Sequence, residues 1–361
     1  MSEKIAPFHL AILIYMIQSG VTLTKLPRLL AVDFGTNGWI MVILVSFVAC
    51  CNIFLIGLVN RIGGGKDLFD IMEALIPRGV MAPFYLLLAF IYSVLVILIG
   101  KDYVVITQVL SFQNTNAYYF IIIMLLLVIY LVSKDVYTIT KVTAVFFVFT
   151  VWMTLLIFYH IPYMSFTRMT PFFLAEGENF LLGFINLFTA FLGFEIVVFL
   201  FPYIDRSKKN WFRSVYIGNM ITTFIYLVIS IVSYMFFSLE QLKLTSFPVL
   251  NLIAFIEIEL IERIESFIFT LFLMKIVVSI VMYIWVAKLL FKRALPVVPD
   301  KWVTLILIFS GLAITFNANL EYEIGEWLNI FGLIGASIAI ALPLIMLTVL
   351  GILKIRRRNR A

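Results

Sequence analysis

Residues 17–30 read IQSGVTLTKLPRLL and residues 189–202 read TAFLGFEIVVFLFP. Both stretches lie in long apolar runs, and both have a central glycine, Gly20 or Gly193, followed by a proline, Pro27 or Pro202. A glycine-interrupted helix frees backbone N–H and C=O groups that lipid cannot satisfy, so protein, water or a polar ligand must. Alone, either glycine reads as a packing contact between membrane helices. Two such segments in matching positions of two halves are the sequence mark of a transporter-type binding site.

The rest of the chain agrees with a membrane setting. Of its 361 residues, 63% are hydrophobic and 13% charged, whereas soluble domains are about half apolar and about a quarter charged. The apolar residues fall in blocks of roughly 18 to 28, enough to cross a hydrocarbon core of about 30 Å. No series of alternating strands of about ten residues is present, which disfavours a β-barrel. Ten spans are expected, at about 7–30, 38–59, 81–109, 117–132, 137–159, 179–203, 212–237, 260–290, 302–317 and 327–353. The two glycine-broken spans are then the first and the sixth, five apart.

The net charge of +6 follows topology and gives no reason to expect a nucleic-acid partner. With the N-terminus inside, Arg61, Lys66, Arg78, Arg206, Lys208, Lys209, Lys292 and Arg293 all fall in inner loops. Lys4 and the tail KIRRRNR join them, while the outer loops offer only Arg168, Lys243 and Arg263. This is the positive-inside pattern, with both termini cytoplasmic. The tail also reads as an anchor on anionic membrane lipid. DLFDIMEALIP at 67–77 reads as a short amphipathic helix on the inner face, and 246–262 as an interfacial helix on the outer side. Cys50 and Cys51 are adjacent on one helix and point apart, so no disulfide joins them. NRIGGGKD fails as a phosphate loop at Asn60 and Asp67.

Ionisable residues inside spans are few, and each is a functional candidate. Glu195 follows Gly193; Lys275 lies near the middle of span eight; Lys101 and Asp102 lie in the outer part of span three. The simplest reading of Lys101 and Asp102 is a satisfied pair, and that of Lys25 and Arg28 is outward snorkelling. His9 and His160 sit near span ends, no metal-ligand cluster is visible, and no nucleophile has a base beside it, so neither an enzyme nor a cofactor is expected.

FTAFLGFE resembles the Phe-x-Gly-Phe-Glu signature of the amino acid–polyamine–organocation permeases. More narrowly, TKLPRLL, GFEIVVFLFPYI and FPVLNLIAFIEIELIERIESFIF resemble the B subunits of spore germinant receptors, the GerAB-type endospore germination permeases. That resemblance implies an all-α polytopic membrane protein, ten transmembrane helices in a 5+5 inverted repeat with broken first and sixth helices. The repeats would cover about 7–159 and 179–317 of a single domain, 1–361, followed by a tenth helix and basic tail, 327–361. It implies the inner spore membrane, an A-type subunit and a C-type lipoprotein as partners, and a germinant, commonly an L-amino acid, bound between the breaks. By residue it points to Gln18, Ser19, Gly20 and Val21, and to Thr189, Phe191, Leu192, Gly193, Phe194 and Glu195.

The expected mechanism follows from half-helix ends. A ligand carboxylate would meet N–H groups freed at Ser19–Val21, at the positive end of the outer half-helix. Its ammonium would meet carbonyls around Phe191–Gly193, with Phe191 and Phe194 shaping the pocket. Glu195 would be a hydrogen-bonding anchor for the hinge, in preference to a proton-sensitive latch. Lys275 has two readings, a cation standing in for a coupling ion or a partner of Glu195. The functional reading is a germinant-sensing subunit; the alternative is a working amino acid or proton-coupled transporter.

Overall fold

A computed structural model describes residues 3–110, 112–170, 174–208, 210–256 and 264–359. Pro171, Lys209, the acidic stretch 257–263 and Arg360 fall outside the described residues. The helices, in chain order, are α1 (Pro7–Gln18), α2 (Thr22–Phe34), α3 (Ile40–Ile62), α4 (Leu68–Glu73) and α5 (Arg78–Leu110). Next come α6 (Ala117–Val132), α7 (Val136–Val151), α8 (Phe180–Thr189), α9 (Val197–Leu200) and α10 (Arg213–Phe236). The last are α11 (Leu239–Leu244), α12 (Pro248–Ala254), α13 (Ile264–Ala294), α14 (Asp300–Ile314) and α15 (Glu321–Arg358). No strand occurs among the described residues.

Both broken spans form at the expected places. The pair α1 and α2 bends by 59° across Ser19–Val21, and the pair formed by α8 and Phe194–Tyr203 bends by 49°. Six further helices are long and apolar enough to cross by themselves, making eight crossings by length and composition. Helices α6 and α14, at 16 and 15 residues, are shorter than the roughly 20 residues of a full crossing. Helix α5, with 33 residues, and α13, with 31, exceed that length and pack along one another.

The molecule has a buried centre and an apolar outer surface, as lipid exposure allows. Every residue of α1 from Leu10 to Gln18 is buried, between α10, α7 and α13. Phe47, Leu126, Val148 and Phe224 instead point outward and exposed.

The end that carries the N-terminus and α4 is drawn together by polar contacts. Asp67 caps α4 by accepting from the Asp70 N–H at 2.7 Å, and Leu68, Phe69, Ile71 and Met72 bury the helix's apolar side. Arg293, on the last turn of α13, grips Glu73 with two bonds, Nε to Oε1 at 2.7 Å and Nη2 to Oε2 at 2.5 Å. Ile5 pairs with the end of span six: its N–H donates to Tyr203 O at 2.8 Å, and Asp205 N–H donates to Ile5 O at 3.0 Å. Beside this bridge, Arg206 Nη2 donates to the carbonyls of Gly65 and Phe201, at 2.6 and 2.5 Å. Gly65 has φ +75°, and a Cβ there would collide with the Arg206 guanidinium, so both conformation and space call for glycine.

Beyond the first break, α11 and α12 pack against α2. Helix α12 buries Pro248, Val249, Leu250 and Leu252, so the described part of the expected interfacial stretch, up to residue 256, packs on the first broken span. The amphipathic pattern is satisfied by protein there.

Candidate functional site

The two breaks touch through Gln18. Its Nε2 donates to the Phe191 carbonyl at 2.6 Å and to Asn219 Oδ1 at 3.0 Å, and its Oε1 accepts from Thr222 Oγ1 at 2.7 Å. Tyr226 Oη lies within reach of two carbonyls, Gln18 O at 2.7 Å and Ala190 O at 3.0 Å. Backbone groups released by both breaks are thus met by side chains of α1 and α10.

Glu195 serves the second break. Its Oε2 accepts from the Gly193 N–H at 2.7 Å, and its Oε1 accepts from Tyr283 Oη at 2.6 Å. Gly193 itself has φ +130°, and a Cβ would come within 2.7 Å of Ile17 Cγ2. The glycine is required for the turn and for the close approach of α1.

Between the broken spans lies a cavity of about 190 Å³, walled by α1, α2, α5, α8, α13 and α15. Of the sequence-derived residues, Gln18, Gly20, Val21, Thr189 and Leu192 line it. Ser19, Phe191, Gly193, Phe194 and Glu195 do not. Phe191 packs edge-on against Tyr226, with ring centroids 5.3 Å apart, and Phe194 against Phe188 at 6.3 Å. The two aromatics therefore support the break from behind and do not shape the cavity. Glu195 reaches the wall only through Tyr283.

The freed groups also differ from expectation by about one residue. Ser19 N–H still donates to Tyr15 O at 2.9 Å and Gly20 N–H to Gln18 O at 2.8 Å. Val21, which caps α2, and Thr22, its first residue, both line the cavity, and their N–H groups have no protein partner among the described residues. On the other break, the Phe191 carbonyl is already taken by Gln18.

The charges pair differently from the sequence reading. Lys101 and Asp102 are not a pair, because neighbours on a helix point about 100° apart. Lys101 Nζ donates to the carbonyls of Thr315 and Ala318, at 2.5 and 3.0 Å, just past the end of α14. Asp102 instead meets Lys25 at 2.7 Å, with side chains 4% and 25% exposed. Lys25 therefore turns into the cavity and does not snorkel outward; Glu321 lies 3.7 Å from it and the Phe247 ring 5.3 Å. Arg28 donates through Nε to Lys243 O at 3.1 Å. Lys275 does not pair with Glu195; its nitrogen meets Tyr15 Oη at 2.8 Å, on another cavity.

Sequence reasoning missed Thr22, Asn186, Ser279, Tyr283 and Asn329 in the wall. Ser279 Oγ donates to Ile17 O at 3.0 Å, tying α13 to the first break. Asn186 lies one helical turn before Thr189, so a polar stripe on α8 was readable. Asn329 had no comparable signal. The resulting cavity offers unpartnered donors at a helix start, a carboxylate shared with an ammonium, and neutral hydroxyls and amides. That donor set suits a small molecule with both an anionic and a cationic group.

Residues 4–322 match the family described as "Spore germination protein". Spore germination protein GerQB of Bacillus cereus is 23% identical over 361 residues, covering 98% of each chain. Spore germination protein B2 of Bacillus subtilis (strain 168) is 27% identical over 260 residues, 69% of this chain and 68% of that one. Among solved structures, the nucleobase-cation-symport-1 family transporter Mhp1, closed with bromovinylhydantoin bound, superposes with a TM-score of 0.58. It is 13% identical, over 91% of this chain and 75% of that one. The manganese transporter of Eremococcus coleocola gives 0.58 at 13% identity, over 95% of this chain and 78% of its own. At such identities the likeness is one of fold.

Proposed function

The chain belongs to the spore germination protein family, and from that premise we propose that it is the germinant-sensing subunit of a spore germination receptor. It is an integral membrane protein with a transporter fold. In this reading it spans the inner spore membrane ten times, both termini inside, with inverted repeats over about 7–159 and 179–317. A small amino acid-like ligand occupies the cavity beside the broken spans. Its carboxylate faces the Val21 and Thr22 N–H groups at the positive end of α2. Its ammonium faces Asp102, which loosens from Lys25.

The observation that carries this reading is that Val21 and Thr22, whose N–H groups have no protein partner among the described residues, line the same cavity as the Lys25–Asp102 ion pair. Signalling follows from the connections of that cavity. A ligand pressing on Gln18 or Tyr283 acts on the bonds to Phe191 O and Glu195, so the two breaks move together. Glu195 acts as the hinge anchor. The rearranged outer segments then present a changed surface to an A-type subunit and a C-type lipoprotein. No catalytic step is involved.

The alternative, a working amino acid or proton-coupled transporter, draws on the same fold. Equilibrium binding of L-amino acids, measured beside radiolabelled uptake in proteoliposomes, separates the two. Saturable binding without uptake is the expected result. Uptake abolished in Gly193→Leu would establish transport, and no binding by the chain or by its assembled receptor would sink the sensing role.

A further inference from the structure

Lys275 takes no part in the ligand cavity, yet it is an ammonium only 3% exposed inside a membrane protein. Its nitrogen donates to Tyr15 Oη at 2.8 Å and sits 4.8 and 5.6 Å from the ring centres of Tyr15 and Phe272. Among the described residues it has no other side-chain partner and no ion pair. An ammonium carries three donors, so two are unplaced. The Tyr15 hydroxyl that accepts from it donates to nothing described.

Lys275 borders a cavity of about 60 Å³ whose wall is otherwise mainly aliphatic, including Ile229, Val249 and Ile253. Thr154 also lines that cavity, and its hydroxyl has no hydrogen-bond partner among the described residues. Ring faces offset only part of the cost of a buried cation, and an unpaired buried charge is strongly unfavourable. A cavity of roughly 10–15 Å³ by the same measure already admits one water, so this one has room for an ion.

We propose that Lys275 is the base of a small-anion site, separate from the ligand cavity, that takes a monovalent anion of the chloride class. Its ammonium supplies the charge, and the Thr154 and Tyr15 hydroxyls supply further donors. The apolar wall favours a weakly hydrated monovalent ion over sulfate or phosphate, which need many more donors. The site touches both halves of the first broken span, Tyr15 near the end of α1 and Leu23 and Thr24 at the start of α2. Occupancy therefore steadies the bend between them.

The test is the thermal midpoint of the full chain in nanodiscs, in sodium chloride and in sodium gluconate at matched ionic strength. Chloride is expected to raise Tm saturably in the native chain and to have no specific effect on Lys275→Met. In gluconate the variant should be at least as stable as the native chain, because the unpaired charge is gone. An equal response of the native chain to both salts, or an unchanged chloride shift in Lys275→Met, overturns the site. Should that variant fail to fold, bromide-soaked crystals of the native chain decide: anomalous density at the Lys275 nitrogen supports the proposal, and its absence at saturating bromide refutes it.

Discussion

Gln18 and Phe191, 173 positions apart, are joined by a buried hydrogen bond of 2.6 Å from amide to main-chain carbonyl. One side chain of the first break thereby fills an acceptor exposed by the second. The same amide group engages Asn219 and Thr222, so removing it orphans partners on α10 as well as at the second break. Gln18→Leu is expected to lower stability by about 1–3 kcal/mol, given losses of roughly 0.6 to 1.7 kcal/mol per bond in membrane proteins. Urea or thermal unfolding in nanodiscs measures this, and an unchanged midpoint would show that the breaks are independent.

The two glycines should respond in opposite ways. Gly193 has φ +130° and its Cβ position is blocked by Ile17, so Gly193→Ala is expected to cost about 1–3 kcal/mol. At Gly20 a Cβ would meet nothing within 4 Å, and the residue lines the cavity between the broken spans. Gly20→Val should fold normally and lose at least tenfold in ligand affinity. Thermal midpoints and binding isotherms on both variants check the contrast.

Asp102 and Lys25 form a polar contact only partly shielded from solvent. Asp102→Asn leaves the ammonium with the more distant Glu321, and we expect a loss of about 1–3 kcal/mol, below that of a fully buried pair. The double variant with Lys25→Met should recover part of it, a coupling read from a double-mutant cycle. Simple additivity would show that the pair contributes nothing to the fold.

Between α13 and α4 the Arg293 guanidinium holds the Glu73 carboxyl below its ordinary value of 4.5. A carboxylate depressed in the folded state stabilises fully above that ordinary value, and the gain disappears as pH falls through the lower, folded value. Arg293 is 37% exposed, so the effect is screened to about 1 kcal/mol. The thermal midpoint of the native chain should therefore drop below pH 4.5 relative to Glu73→Gln. Parallel curves for the two proteins would exclude the contribution.

Much of the architecture was legible because lipid imposes a local demand. Each apolar block had to become a helix, and Gly20 and Gly193 marked the breaks. Helix α11 also had a local signal, since Ser238 and Gln241 form a capping box. Pairing was not legible. Lys25 and Asp102 are 77 positions apart, and their meeting depends on the rotation of α5, which no local pattern specifies. Adjacency suggested Lys101 for Asp102, whereas Lys101 satisfies the carbonyls beyond α14. Phe191 and Phe194 looked like pocket walls because they flank the break, but their rings turn toward Tyr226 and Phe188.

The Ile5 bridge has a consequence for how the protein spends its time. Two main-chain bonds fasten the N-terminal segment to the end of the second broken span, and the Arg206 guanidinium ties that same end to Gly65. A carrier must undo such a seam once in every turnover, whereas a sensor can keep it shut for as long as the spore lies dormant. The deuterium uptake of the Ile5 and Asp205 amides is thus a clock for the inner door: ticking under substrate in a carrier, silent in a detector.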